Sequence, residues 1–537
     1  MDIRATCSRR YLIALAAGIG LLPAPSEVHA RFQNGNWQPS DGLRLAGSWL
    51  GLTTLDPALA RDADTIFLAR QVSRGLVGYD EKLAPVAELA RAIEASEDAT
   101  AYTFELHSDA MFHDGRTIVA EDVRFSLSRA LNPAIANGDA SQLPGATYLG
   151  DIVGADRVMA GEADALEGVE IIDDRTVRIS LVAPSTTFLM KLAAVPASIV
   201  DRHQDTSSPD WWTALNGSGP YRIAEYDAES GLRLKAVEDW LGNTIPVKDI
   251  DILLGNAAAQ PVNLAQAGKI DLVPELPASL VSLVSDPATG MEDTFVLEKP
   301  DFSLSYIAFG NQQPPLDDPH IRRALQYCFP ADRFAAAAFD ERVLVAEGVI
   351  PLGMLGQDWP AEMPAVDVQA ARQEIAASRY GNAASVPPIR IHAADIAPVE
   401  ALRDVAQDEL GITVEAIQVN WFDFLEGLTS RMFDAYALFW SLDYPDPEAL
   451  LWVLFGSDSG QNYTGYTNAA LDDVLAGARR EMNDDRRKEL YARAQQILID
   501  DAAIIPLYIP VRYTLARSGM SHLPVTSMGL LRLEALS

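Results

Sequence analysis

Strand-type and helix-type periodicities alternate irregularly along this chain, which predicts an α/β fold. No internal repeat at solenoid periods competes with that reading. Two-residue alternation marks strands at residues 101–106, 176–182, 232–237 and 303–309, after an early strand over 43–50 that ends in the turn Thr54-Leu55-Asp56-Pro57. Helices are punctuated more sharply. Asp318 caps and Pro319 opens one whose inward face is Ile321, Ala324, Leu325 and Cys328. Asn468 caps a second, with Leu471, Val474, Leu475 and Ala478 inward, and a third covers 485–499 with Leu490, Tyr491, Ala494, Ile497 and Leu498 on one face. A proline-bounded apolar run, 503–510, then returns as a buried strand continued by 513–516. A chain that lays down its main sheet early, turns helix-rich and closes with a strand predicts two lobes joined by crossings. A cleft between such lobes is the favoured place for a ligand.

Composition narrows the function. The 537 residues suffice for three or four domain-sized units at roughly 150 residues each, and 48% are apolar, too many for a disordered chain. Acidic residues outnumber basic ones 75 to 42, for a net charge of -33. Such a body repels phosphate backbones and anionic headgroups, so neither nucleic acid nor a membrane surface is an expected partner. Cationic and zwitterionic ligands stay open, beside the plain alternative that the charge serves solubility.

Residues 1–30 have the parts of an export signal: Arg4, Arg9 and Arg10, an apolar stretch over 11–22, and Val28-His29-Ala30 as a small-residue cleavage site. Twelve apolar residues are too few for a bilayer span, which needs about 20. The segment is therefore expected to be removed, either by the general secretory route or, since Ser8-Arg9-Arg10-Tyr11-Leu12-Ile13 resembles a twin-arginine signal, after export of the folded chain. The mature chain would carry 39 basic and 73 acidic residues, a net -34, so the acidity belongs to the working protein. Cys7 precedes the apolar stretch, where a lipid-accepting cysteine cannot lie, which leaves Cys328 alone and no intramolecular disulfide. The expected product is soluble, periplasmic and not lipid-anchored.

Catalytic and metal signatures are missing from the sequence: no HExxH, CxxC, GxSxG or GxxxxGK[ST]. Gly217-Ser218-Gly219 is followed by Pro220 and Tyr221, so it reads as a tight turn before a strand, not a phosphate loop. His107 and His113 sit six apart across a strand and a turn with no third ligand near, so neither a metal nor a cofactor is expected. Asp443, Asp446 and Glu448 form an acidic trio whose intervening prolines suit a rigid turn better than a calcium loop, with no partner site for acid–base chemistry.

Several blocks nevertheless follow one family's order. They are Leu55-Asp56-Pro57 with Arg74-Gly75-Leu76-Val77-Gly78-Tyr79-Asp80; Tyr102-Thr103-Phe104 through Phe112-His113-Asp114-Gly115 to Ala120-Glu121-Asp122-Val123; Gly217-Ser218-Gly219-Pro220-Tyr221; and Trp440-Ser441-Leu442-Asp443-Tyr444-Pro445-Asp446-Pro447. Asp317-Asp318-Pro319-His320-Ile321-Arg322-Arg323-Ala324-Leu325, the 462–468 segment and Ile504-Ile505-Pro506-Leu507-Tyr508 add to them. The chain resembles the extracytoplasmic solute-binding proteins of peptide-type ABC importers, family 5, which carry oligopeptides, dipeptides, nickel chelates or some sugars. The resemblance implies a two-lobed periplasmic-binding-protein fold with a hinge and an inter-lobe cleft. It gives residues 31–302 and 508–537 as lobe I, with an inserted subdomain at 75–205, and 303–507 as lobe II.

It also implies a monomer that captures a short peptide and passes it to a membrane-embedded ABC permease. Asp443 matches the aspartate that meets the ligand α-ammonium, and extended backbone at Leu50, Gly51 and Leu52 would pair with the peptide main chain. Trp440 and Trp421 fall where cleft aromatics are found, although ordinary core positions would also suit them, and Asp443 could instead serve its own turn. Two departures mark a divergent branch: Val119 stands where a helix-capping Thr is common, and Phe329-Pro330-Ala331 replaces Ile-Asp-Arg. An opine, an oligosaccharide or a nickel chelate is the alternative ligand, and a secreted hydrolase the remote alternative.

Overall fold

The computed structural model describes residues 42–48, 51–138, 143–228, 230–339 and 342–537. The expected export signal at 1–30 and the candidate residue Leu50 lie outside the described residues. The chain divides into two compact units, Met1–Lys299 with Arg512–Ser537, and Pro300–Val511.

The first unit is built on Leu43–Ala46, which pairs in parallel with Asp249–Leu253, Leu45 opposite Ile252. Gly231–Ala236 and Tyr221–Asp227 extend that sheet antiparallel on one side, and Leu272–Val273 lies on the other, paired with the end of the long Ile504–Arg517 strand. Leu45, Leu232, Leu234, Ile250 and Ile252 face a core shared with Leu68 and Val72 of the helix Ala63–Val72. A separate antiparallel sheet, in the order Ala90–Ala95, Ala101–Leu106, Thr176–Ser180, Val169–Asp173, stands within residues 75–205.

Gly217-Ser218-Gly219 is a packing lock. A Cβ on Gly217 would lie 2.0 Å from the Val72 carbonyl oxygen, and one on Gly219 2.6 Å from that of Gln71. Ser218, fully buried between them, accepts from the Arg74 N–H at 3.0 Å and lies 3.0 Å from the Ile199 carbonyl to which its hydroxyl donates. The C-terminal tail is stitched to the same region: Gln71 donates to the Leu531 carbonyl, Tyr221 to that of Leu533, and Arg74 to Glu534 at 2.7 Å.

The second unit has a mixed sheet in the order Val414–Gln418, Ile389–Ala393, Ala435–Ser441, Ser303–Phe309, Ile504–Arg517, with Val343–Val345 also on the last strand. The first three run parallel and the later pairings are antiparallel. One face is covered by helices Pro319–Cys328, Val368–Ala377 and Ala397–Val405, whose Ile321, Leu325, Ile375 and Leu402 meet Ile307, Phe309 and Ile391 of the sheet. Asp318 does cap the first of these, accepting from His320 N–H, and Cys328 is buried.

Elements deviate from the sequence reading mainly at their ends. The early strand is Leu43–Ala46, with Gly47 and Ser48 outside it, and the helix over 485–499 extends to Asp484–Asp500 with Asn483 as its cap. Val119 supplies no side-chain cap, yet Asp122 reaches back to its N–H at 3.0 Å and so makes one of the two bonds of a capping box. Among the described residues, no helix is long and apolar enough to cross a membrane.

Candidate functional site

The Ala435–Ser441 strand organises an aromatic surface on the second unit. Its alternation sends Ala435 and Ala437 into the helix-covered core, and Tyr436 and Trp440 to the opposite side. Tyr436 is fully buried there, its ring 6.1 Å from Tyr306, 6.4 Å from Phe424 and 6.4 Å from Tyr463. Trp421 begins the helix Trp421–Thr429, capped by Asn420, and its ring lies 6.2 Å from Phe424 with half its surface open to solvent. Trp440 is half-buried and donates from Nε1 to the Ala449 carbonyl at 3.2 Å. Trp421, Phe424, Tyr436 and Tyr463 are thus linked by successive ring contacts, Trp421 the most open of them, and Trp440 lies on the same strand face as Tyr436.

Asp443 follows directly. Leu442 N–H still pairs with Phe302 O at 3.1 Å, after which the chain turns through Pro445 and Pro447 into the helix Glu448–Phe455. The acidic trio separates here into different jobs. Asp446, fully buried, accepts from the Glu448 N–H at 2.9 Å and from Arg487 Nη1 at 2.5 Å. Burial nevertheless pushes its pKa up, because desolvation outweighs the arginine's charge. Glu448 is buried against Arg479 at 3.4 Å. Asp443 is half-buried, and its charge reaches Tyr463, whose phenol is raised first by burial and then by that carboxylate. Tyr306 and Tyr436 are likewise pushed up, chiefly by burial.

Tyr463 carries no signal of its own in the sequence. It stands out only once Asn462 is seen to pin its turn, donating to the Gly456 and Tyr466 carbonyls and accepting from the Tyr466 N–H. On the first unit, Leu50 is outside the described residues, and Gly51 is not extended: its φ is 86°, and its N–H donates back to Ser48 O at 3.2 Å. Gly51 therefore sits in a turn, not in the extended backbone expected there. Leu52 is half-buried against the first unit's core.

Among the described residues the histidines lie apart, in separate surroundings. His113 donates from Nε2 to the Gly219 carbonyl at 3.0 Å, and burial takes its pKa down to about 4. His392 stacks on Phe433 at 4.1 Å beside a shallow cavity of about 370 Å³ that Arg390, Glu415 and Asp434 also line. Among the described residues, no three His, Cys, Asp or Glu side chains are grouped so as to hold a metal ion.

Residues 84–462 match the family described as bacterial extracellular solute-binding proteins, family 5 Middle. The dipeptide-binding protein of Escherichia coli (strain K12) is 24% identical over 467 residues, covering 82% of this chain and 83% of that one. The heme-binding protein A of Haemophilus influenzae (strain ATCC 51907 / DSM 11121 / KW20 / Rd) is 26% identical over 447 residues, with 78% of each chain covered. Among solved structures, the periplasmic murein tripeptide binding protein MppA in its unliganded open form superposes with a TM-score of 0.79 at 22% identity, covering 93% of this chain and 97% of that one. That likeness establishes the fold as the two-lobed α/β fold of periplasmic binding proteins.

Proposed function

The chain belongs to the bacterial extracellular solute-binding proteins of family 5, and from that premise we propose that it captures short peptides outside the cytoplasm and delivers them to an ABC permease. The observation that carries the reading is Asp443, a half-buried carboxylate at the end of the Ala435–Ser441 strand, set against Tyr463 and next in the chain to the surface of Trp440 and Trp421. A carboxylate in poorly hydrated surroundings forms a charge-assisted hydrogen bond with an ammonium group, and aromatic walls accept varied side chains. Its neighbours Asp446 and Glu448 pair with Arg487 and Arg479 and hold the turn that carries it.

In this reading the protein binds and releases its solute without chemistry, works as an exported monomer and needs neither metal nor cofactor. Residues 1–30 would be removed on export.

The test is mass spectrometry of small molecules released by denaturing the purified protein, paired with calorimetry using tri-alanine. Released peptides and measurable tri-alanine binding support the reading. Release of an opine, an oligosaccharide, a nickel chelate or haem, with no heat from tri-alanine, overturns it.

A further inference from the structure

The strand Ala435–Ser441 is about 20 Å long at about 3.3 Å per residue, with Asp443 just past its end and Asp434 just before its start. At the Asp434 end, away from Asp443, the cavity of about 370 Å³ opens, lined by Arg390, His392, Glu415, Ile417, Met432 and Asp434. That volume is at the small end of ligand sites. Strand register explains the grouping. Ile389, Ile391 and Val414 belong to the helix-covered core, so alternation sends Arg390, His392, Glu415 and Ile417 to the opposite face. There Arg390 is paired in register with Glu415, and His392 with Ile417, on adjoining parallel strands.

The rim of this cavity is tied down. Phe433 stacks on His392 at 4.1 Å and on Phe424 at 5.7 Å, and Gly427 makes room for it, because a Cβ there would overlap the Phe433 ring. Met432 N–H donates to the Gly427 carbonyl at 2.9 Å, and the Asp434 carbonyl accepts from Gly310 N–H at 2.7 Å. Met432 is nevertheless 71% exposed. The charges do not cancel. Arg390 Nε lies 3.1 Å from Glu415 and matches it. Burial first, and then the Arg390 charge, lower the His392 pKa against the opposing pull of the Ala435 backbone and Asp434, so its ring is neutral at neutral pH. Asp434 is exposed and, among the described residues, forms no ion pair. One negative charge is thus left over beside the apolar surfaces of Ile417 and Met432.

We propose that this cavity is a second binding site, for a small organic ammonium ion with an aliphatic body. The ammonium pairs with Asp434, and the hydrocarbon packs on Ile417 and the Met432 thioether, whose unbranched chain adapts to differing shapes. An anion of the same size meets two carboxylates against one guanidinium and is rejected. A zwitterion stands between them, since its carboxylate reaches Arg390 only by displacing Glu415. The length of the strand that separates Asp434 from Asp443 makes this site independent of the ligand held at Asp443.

The experiment is nuclear magnetic resonance of the full chain with isotope-labelled methionine methyl groups. The Met432 signal, assigned by its loss in Met432→Leu, reports on the cavity itself and not on Asp443. Isoamylamine, leucine and isocaproate share one hydrocarbon body and differ in charge. Isoamylamine should shift the Met432 signal saturably at millimolar concentrations, leucine should do so more weakly, and isocaproate should leave it in place. Asp434→Asn should weaken the amine about fivefold, the effect of one exposed charge pair. Arg390→Gln, which removes the competing cation and frees Glu415, should strengthen it. Methionine signals otherwise superimposable on those of the parent report that both variants are folded. A Met432 signal that moves with none of the three compounds, moves as much with isocaproate or leucine as with the amine, or responds to the amine equally in Asp434→Asn overturns the site.

Discussion

Arg487, on the helix Asp484–Asp500, donates from Nη1 to Asp446 Oδ2 at 2.5 Å, with both side chains buried. The pair anchors the turn that begins at Asp443, so a residue 44 positions farther along the chain holds the candidate ligand carboxylate in place. Removing one member strands the other in a low-dielectric interior, a loss of about 3–5 kcal/mol where both partners are desolvated. Arg487→Ala is expected to lower the unfolding free energy, measured by urea titration, by that amount. A stability unchanged within error would mean that the pair is not carrying the turn.

Acid should loosen the C-terminal tail. Glu534 is nearly buried: burial alone would raise its pKa, but Arg74 at 2.7 Å and Arg532 outweigh that and hold it down at about 2, against 4.5 for a free glutamate. A depressed carboxylate contributes stability that is fully present above its unfolded pKa and lost as pH falls through the folded one. The window is therefore pH 4.5 down to 2, and the contribution is about 3 kcal/mol from the size of the shift. Glu534→Gln should lower thermal stability at pH 7 and flatten its decline between those pH values, as followed by circular dichroism.

Much of the scaffold was legible because local chemistry and burial agree there. Asp318 and Pro319 announce a helix start that tertiary packing has no reason to move, and strand 303–309 is legible because alternating apolar residues sit in a sheet buried on both faces. Strand ends were harder: residues 43–50 remain apolar past Ala46, but hydrogen bonding, not hydropathy, decides where pairing stops. In the acidic trio the sequence offers three equal carboxylates, and only the fold reveals that Asp446 and Glu448 face Arg487 and Arg479, 41 and 31 residues away in the chain. Gly51 shows the opposite failure. A glycine inside an apolar stretch reads as strand, while its positive φ can be known only from the backbone.

Cys328 should be chemically silent in the native protein. Burial pushes its thiol up to about 12, and its Sγ lies 3.3 Å from the Leu325 carbonyl within the helix. The thiolate is the reactive form, so thiol-specific reagents at pH 8 should leave the folded chain unmodified and label it stoichiometrically once it is unfolded in guanidinium. Rapid native labelling would show that the helix Pro319–Cys328 opens readily, and would contradict its place in the core.

The ammonium role assigned to Asp443 separates from a purely structural one by the ligand's charge. If the carboxylate meets the peptide's α-ammonium, Asp443→Ala removes a partner from a desolvated charge and should weaken binding of free-amine peptides by about 2–5 kcal/mol. N-acetylated peptides of the same sequence lack that charge, so their weaker affinity should change far less. Asp443→Asn keeps the turn's hydrogen-bonding shape and should resemble the alanine variant toward free-amine peptides only if charge is what matters. Calorimetry on the three proteins with paired free and acetylated peptides gives the contrast. Equal losses for both peptide forms would assign Asp443 to its own turn beside Asp446 and Tyr463, and would leave the ammonium site to be found elsewhere on the aromatic face.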